Sequence, residues 1–252
     1  MKEQIENLQK SFELSSQQID DAVNPLEVAA LFESKNVSYV LIGGHMLSYY
    51  TGTARATVDV DFIIGGTDFE RASKEINKAY AQFKHHNRVY HVTYDTQKTH
   101  EKDPERIDLV KDGFPLFKAV VQKYCVTLRA KKQVVKIPTI EAAIALKFAA
   151  SISPNRGDEN KPIDNADLMR LIRATPNLNE HAILALGELV YSGGGKELAA
   201  VVNDVRQGKT ISLERGKQMT GNENFLTPRQ RYHPVTFPQV FSDEKMARDW
   251  TL

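Results

Sequence analysis

Residues 39–66 read YVLIGGHMLSYYTGTARATVDVDFIIGG. They constrain the fold more than any other part of this 252-residue chain. A β-branched and aromatic run ends on Gly43-Gly44, a short polar and aromatic segment follows, and a second strand carries Asp59 and Asp61. Carboxylates are depleted in strands, so two in the middle of VDVDFII need a reason. Residues two apart on a strand share a face. Asp59 and Asp61 therefore project together, while Val58, Val60 and Phe62 project to the opposite face, toward a core. Two carboxylates side by side repel unless a cation lies between them. Magnesium takes oxygen ligands and commonly uses one or two carboxylates plus phosphate oxygens. The bland alternative is an exposed strand face. The double glycine has two readings as well. It marks a tight turn, or it lets backbone N–H groups and a helix N-terminus approach a phosphate.

The rest of the chain supplies a frame. Residues 1–22 carry Ile5, Leu8, Phe12 and Leu14 at helical spacing. Pro25 opens a helix through LEVAALFESKN. HMLSYYTG reads as a short helix starting at the glycines. TDFERASKEINKAYAQF is a helix capped by Thr67 or Asp68, with Phe69, Ile76 and Tyr80 inward. RVYHVTYD alternates like one strand, TQKTHEKDPE is a hairpin connection, and RIDLVKDG is a further strand. Residues 114–138 give a short helix and one or two strands. From Thr139, an N-cap, helices dominate: TIEAAIALKFAAS, IDNADLMRLIRAT, NEHAILALGELVYSGG and KELAAVVNDVRQGK, with Gly193-Gly194-Gly195 as a stop signal. The expected organisation is an N-terminal helical segment (1–24), an α+β core (25–137), a helical subdomain (138–210) and a tail (211–252).

Composition narrows the function classes. There are 33 basic and 32 acidic residues, for a net charge of +1, which is no general coat for nucleic acid or membrane. Arg129, Lys131 and Lys132, with Arg229 and Arg231, are local basic clusters that read either as an RNA-binding surface or as a solvated face. The single cysteine, Cys125, excludes an internal disulfide and a cysteine-based zinc cluster. No run approaches membrane-spanning length and MKEQIENLQK has no signal-peptide core, so a cytoplasmic protein is expected.

Two further residues bear on the acidic pair. Asp108 alternates with Ile107 and Leu109 in RIDLV, so a neighbouring strand could set it beside Asp59 and Asp61. Three carboxylates can hold two divalent ions for in-line phosphoryl or nucleotidyl transfer. Otherwise Asp108 pairs with Arg106 or Lys111 on an exposed edge. Lys147 sits in the apolar helix AAIALKFAA, where an inward lysine is costly without a partner. The alternative is a place on the exposed stripe.

Strand, double glycine, short helix and then D-x-D on the next strand resemble the nucleotidyltransferase fold shared with DNA polymerase β. The resemblance is closer to the AbiEii-like branch, the nucleotidyltransferase toxins of abortive-infection systems and their minimal relatives. GGHMLSYY, RATVDVDF, RIDLV, PTIEAAIALKFAA and KPIDNADL follow that pattern in order. The matches run from about Tyr39 to Leu171, and together they are specific where no single one is.

The resemblance implies an α+β, polymerase β-like core with a small mixed sheet and a helical C-terminal subdomain. It implies an NTP-using enzyme that transfers NMP to an acceptor hydroxyl and releases pyrophosphate. It also assigns roles. Asp59, Asp61 and Asp108 would bind Mg2+, two ions in number with Mn2+ as a substitute, and Asp108 would act as base on the attacking hydroxyl. Gly43 and Gly44 would cradle the triphosphate. Lys147 would reach its phosphates, and Asp164 would support Lys147 or contact nucleotide or acceptor. Arg55 and Thr57 touch phosphate or pair with the acidic cluster, and His45 contacts nucleotide or is structural. Asp167 is read as a structural partner or cap. The sequence departs from the family at K-P-I-D, where a contiguous K-D is usual, which leaves the role of Lys161 open. The acceptor is RNA such as tRNA, a protein or a small molecule of the aminoglycoside type, and a cognate antitoxin is an expected partner. A non-catalytic nucleotide- or partner-binding protein on the same fold is the rival.

Overall fold

The computed structural model describes residues 2–18, 23–57, 59–95, 106–130, 133–153, 160–211 and 213. The basic residues Lys131, Lys132, Arg229 and Arg231, the 96–105 connection, Val58 and nearly all of the 211–252 tail lie outside the described residues.

The chain starts with helices α1 (Lys2–Gln18) and α2 (Pro25–Ser34), then β1 (Tyr39–Leu41), α3 (Gly43–Thr51) and β2 (Asp59–Ile64). Helix α4 (Phe69–Ala79) leads to β3 (Lys84–Arg88), β4 (His91–Asp95) and β5 (Arg106–Lys111). Helix α5 (Pro115–Gln122), strands β6 (Cys125–Ala130) and β7 (Gln133–Pro138), and helices α6 (Ile140–Ile152), α7 (Lys161–Ala174), α8 (Glu180–Val190) and α9 (Gly194–Arg206) complete it. Five strands form a mixed sheet in the order β1-β2-β5-β4-β3, and β6 and β7 form a separate ribbon. The mixed α+β class and the small mixed sheet agree with the expectation from sequence.

The strand alternation works as physics requires, with one refinement. Val60, Phe62 and Ile64 are buried with Phe32, Tyr39, Phe69 and Ile76. The opposite face of β2 changes character along its length. Asp59 and Asp61 are partly exposed, whereas Ile63 is fully buried against a second core built with Leu116, Ala143 and Phe148. The carboxylates thus stand where the helical half stops covering the sheet.

Three local expectations need correction. RVYHVTYD is not one strand: the chain turns at Val89-Tyr90, and β3 and β4 pair antiparallel with Arg88 opposite His91. Alternation alone cannot see a turn whose tip residues are themselves good strand formers. Asp68 is the N-cap of α4 by position, but its side chain makes no capping hydrogen bond. Its Oδ2 accepts from the Ser38 N–H at 2.8 Å, and Oδ1 pairs with Arg71, tying the helix start to the entry of β1. Tyr80 lies just past α4 as its C-cap rather than within it, and packs half-buried on the core that Phe69, Ala72 and Ile76 enter. By contrast Thr139 caps α6 as expected, its Oγ1 accepting from Ala142 N–H at 3.3 Å. The triple glycine does more than stop a helix. It opens α9, and a Cβ on Gly187 of α8 would lie 2.7 Å from the Gly194 carbonyl, so small residues set how closely α8 and α9 cross.

Candidate active site

Strand pairing brings the acidic residues to one row. β2 and β5 run parallel with Asp61 opposite Asp108, and β4 runs antiparallel to β5 with Thr93 opposite Asp108. Paired residues in register share a sheet face, so Asp59, Asp61 and Asp108 all face the same way. They do not converge equally. Asp59 and Asp61 line a cleft of about 540 Å³, together with Gly43, Gly44, Arg55, Thr57, Lys147 and Asp164. Asp108 is not among the lining residues. Its Oδ1 lies 3.3 Å from His91 Nε2, which is itself 3.1 Å from Thr93 Oγ1. Of the cations adjacent in sequence, Lys111 lies over the Phe69 ring, 5.9 Å from its centroid. The contact with His91 was invisible in sequence because it depends on how β4 pairs with β5.

The double glycine is required by the acidic strand. Gly43 has φ +71°, and a Cβ there would meet Asp61 Oδ2 at 2.0 Å. The Asp61 carboxylate therefore lies directly over the first residue of α3, where helix N–H groups have no intrahelical partner. A Cβ on Gly44 would meet the Thr57 Cβ at 3.0 Å, so the loop before β2 also packs onto the helix start. The backbone joins the two strands as well, with Ile42 N–H donating to Asp61 C=O at 2.9 Å.

Lys147 points inward. Its Nζ lies 2.9 Å from Asp164 Oδ1 and 3.0 Å from Asp167 Oδ2. The lysine side chain is 14% exposed and the two carboxylates are 1% and 2% exposed. This answers the cost of burying an ammonium group among Ile144, Ala145 and Phe148. Arg55 Nη1 approaches Asp167 Oδ1 at 3.5 Å, and Arg170 Nη1 reaches the same oxygen at 3.2 Å. Asp167, read from sequence as a structural partner, is the hub that joins α6, α7 and the loop before β2. Asp164 and Asp167 are one helical turn apart, the spacing that sets two side chains on one face. Lys161 is the first residue of α7 and does not line the cleft.

His45 also faces inward, away from the cleft. It is 1% exposed and packs edge-on to Phe12 with ring centroids 4.8 Å apart. Ser11 Oγ donates its one hydrogen to Arg55 C=O at 2.8 Å and lies 3.0 Å from His45 Nδ1. Nδ1 must therefore carry the hydrogen of that contact. Burial pulls the imidazole pKa down to about 3, so His45 is neutral and structural. The far wall of the cleft is apolar, formed by Phe114, Leu116, Phe117, Leu146 and Val190 with Tyr191.

The residues present suit a hard divalent cation. Among the described residues no group of three or more His, Cys, Asp or Glu is arranged to hold a metal ion by itself. A magnesium ion on Asp59 and Asp61 would take its other ligands from phosphate oxygens and water, as magnesium commonly does.

The family model for the AbiEii nucleotidyl transferase toxin of type IV toxin–antitoxin systems matches residues 28–252. The chain belongs to the AbiEii nucleotidyltransferase family. It is accordingly a nucleotidyltransferase, as the strand–glycine–helix–D-x-D order implied. The match begins within α2 and leaves α1 ahead of it. Among curated proteins none matches in sequence. The fold is similar to that of an antigenic nucleotidyltransferase-like protein from Paracoccidioides brasiliensis, at TM-score 0.52 and 15% identity, over 79% of this chain and 94% of that one. Looser likenesses join it to a lincomycin-bound lincosamide adenylyltransferase (TM-score 0.40, 16% identity, 59% of this chain and 98% of that one) and to the CCA-adding enzyme of Thermotoga maritima with tRNA (TM-score 0.32, 10% identity, 82% and 58%). Among the described residues no helix is long and apolar enough to cross a membrane.

Proposed function

We propose that the cleft binds a nucleoside triphosphate with Mg2+ and that the chain transfers its NMP to an acceptor hydroxyl, releasing pyrophosphate. One observation carries this reading: Asp59, Asp61, Gly43, Gly44, Lys147 and Asp164, brought from three separated stretches of sequence, open into the same cleft. Asp59 and Asp61 would hold the metal, which when bound supplies charge neutralisation for the transferring and leaving oxygens. Gly43 and Gly44 present backbone N–H groups at the start of α3, where the helix dipole favours phosphate. Lys147 is fixed by two carboxylates and holds its ammonium at the cleft wall, where it can donate to a phosphate without reorienting. Arg55 is placed alike through Asp167. Asp108, beside Asp61 on the sheet, is the group to receive the proton of the attacking hydroxyl, with His91 Nε2 3.3 Å from its carboxylate. The apolar wall of Phe114 and Phe117 offers a surface for the base.

The family description, a toxin of a type IV toxin–antitoxin system, supports a toxin role; tRNA as acceptor and a cognate antitoxin as partner are part of this proposal. The test is incubation of the protein with each labelled NTP and Mg2+ and with separate pools of tRNA, protein and small acceptors. Label is expected in the tRNA pool, and label confined to another pool reassigns the acceptor. Asp59→Asn and Asp61→Asn are expected to abolish transfer with circular dichroism and melting unchanged. Full transfer by either variant refutes the site.

A further inference from the structure

Helix α1 presents an unusual buried face. Asn7, Ser11 and Ser15 recur every fourth residue and are 7%, 0% and 2% exposed, forming a polar seam beside the apolar Leu8 and Phe12. Buried hydroxyls are costly unless bonded, and these are bonded to a particular place. Ser11 Oγ donates to Arg55 C=O at 2.8 Å. Ser15 Oγ donates to Ser11 C=O at 3.0 Å and accepts from Thr57 N–H at 3.1 Å. Each hydroxyl spends its single hydrogen and one lone pair. On its other side the same loop is held by α3, where Ser48 Oγ accepts from Arg55 N–H at 3.2 Å. The loop so pinned carries Arg55 and Thr57 into the cleft and leads directly to Asp59.

We propose that α1 is a positioning element of the nucleotide site. Ser11 and Ser15 act through the backbone of residues 55–57, which sets Arg55 against Asp167 and Thr57 against Gly44. Release of α1 leaves the loop held from one side only. Alanines at these buried positions would let Leu8 and Phe12 dock α1 without any polar bond to the loop. Serines at positions 11 and 15 add what apolar residues lack, a fixed register between the helix and the loop. This rests on the reading of the cleft as an NTP site.

The experiment uses the full chain and two readouts. Amide hydrogen exchange on the nucleotide-free protein follows Thr57, and steady-state kinetics follow the NTP that the wild type turns over. Ser15→Ala favours the helix slightly and loses only one heavy atom while removing the acceptor of Thr57 N–H. It is expected to speed Thr57 exchange and to raise KM for the NTP, each about five-fold, the worth of one hydrogen bond. Its kcat should stay within about two-fold, because the lost interaction serves ground and transition state alike. Ser15→Thr, which retains the hydroxyl, should restore both. Ser16→Ala is the control: Ser16 is exposed and its Oγ donates to Phe12 C=O at 2.9 Å, the same helix back-bond without a loop partner. It should leave both readouts unchanged.

Unchanged Thr57 exchange in Ser15→Ala overturns the proposal. So does a KM that follows melting temperature equally in Ser15→Ala and Ser16→Ala. A wild type that neither binds nor transfers NTP overturns the functional reading, and with it α1's part in nucleotide binding, even where exchange shows the helix pinning the loop.

Discussion

Gly43→Ala separates a backbone role from a chemical one. Gly43 and Gly52 bracket α3, and both have φ +71°. An alanine at either must adopt the left-handed region, which costs about 1–2 kcal/mol. For a chain of this length that lowers the melting temperature by roughly 2–8 °C. The surroundings differ sharply. At Gly52 a Cβ meets only Asn7 Nδ2, at 3.8 Å, an ordinary contact. At Gly43 it meets Asp61 Oδ2 at 2.0 Å and Asp61 Cγ at 3.0 Å. The Asp61 carboxylate must then swing by more than 1 Å, and a displacement of that size at a reacting centre costs on the order of 100-fold in rate. Both variants should therefore melt lower by similar amounts. Only Gly43→Ala should lose transfer, by about 100-fold or more, and its affinity for Mg2+ should weaken in parallel. The assays are thermal melting by circular dichroism, transfer of labelled NMP, and metal titration by calorimetry. Equal activity in Gly43→Ala and Gly52→Ala would refute the reasoning, because it would mean that the space beside Asp61 is not needed for chemistry.

Two other outcomes follow from the buried groups. Lys147→Met removes the cation shared by Asp164 and Asp167, which are nearly inaccessible to water. It should destabilise the fold by about 3–5 kcal/mol in urea unfolding, and adding Asp164→Asn should recover part of that loss rather than deepen it. A loss under about 1 kcal/mol would contradict a buried network. Neutral His45 makes stability depend on acid: its folded pKa, about 3, lies below its ordinary 6.5, so the unfolded chain binds the extra proton between those values. Stability should be flat above pH 6.5 in this respect. It should fall by up to about 1.4 kcal/mol per pH unit below it, relative to a His45→Asn variant measured alongside.

Much of the site was legible because its signals are local. The two-residue period of a strand placed Asp59 and Asp61 on one face, and the glycines that open α3 announced a backbone that must approach something closely. Lys147 drew notice because adjacent residues of its helix are apolar. Other features were hidden for equally physical reasons. The Val89-Tyr90 turn is made of strand-forming residues. The serines of α1 drew no reading from the sequence, since a hydroxyl reads as polar until its partner is known. His45 stood beside the glycines in sequence, yet the first turn of α3 points it at α1 and away from the cleft.

The sequence by itself determined most of the alternation and the helix starts, because each depends on residues within a turn or two of one another, and the order of motifs from Tyr39 to Leu171 carried the class of chemistry. Tertiary structure alone decided the rest. It made β5 the parallel neighbour of β2, with Asp108 opposite Asp61 yet held by His91. It gave Lys147 both Asp164 and Asp167, and it bound α1 to residues 44 and 42 positions away. Such pairings are selected by the packing of whole elements, and no local pattern of residues encodes which element will arrive.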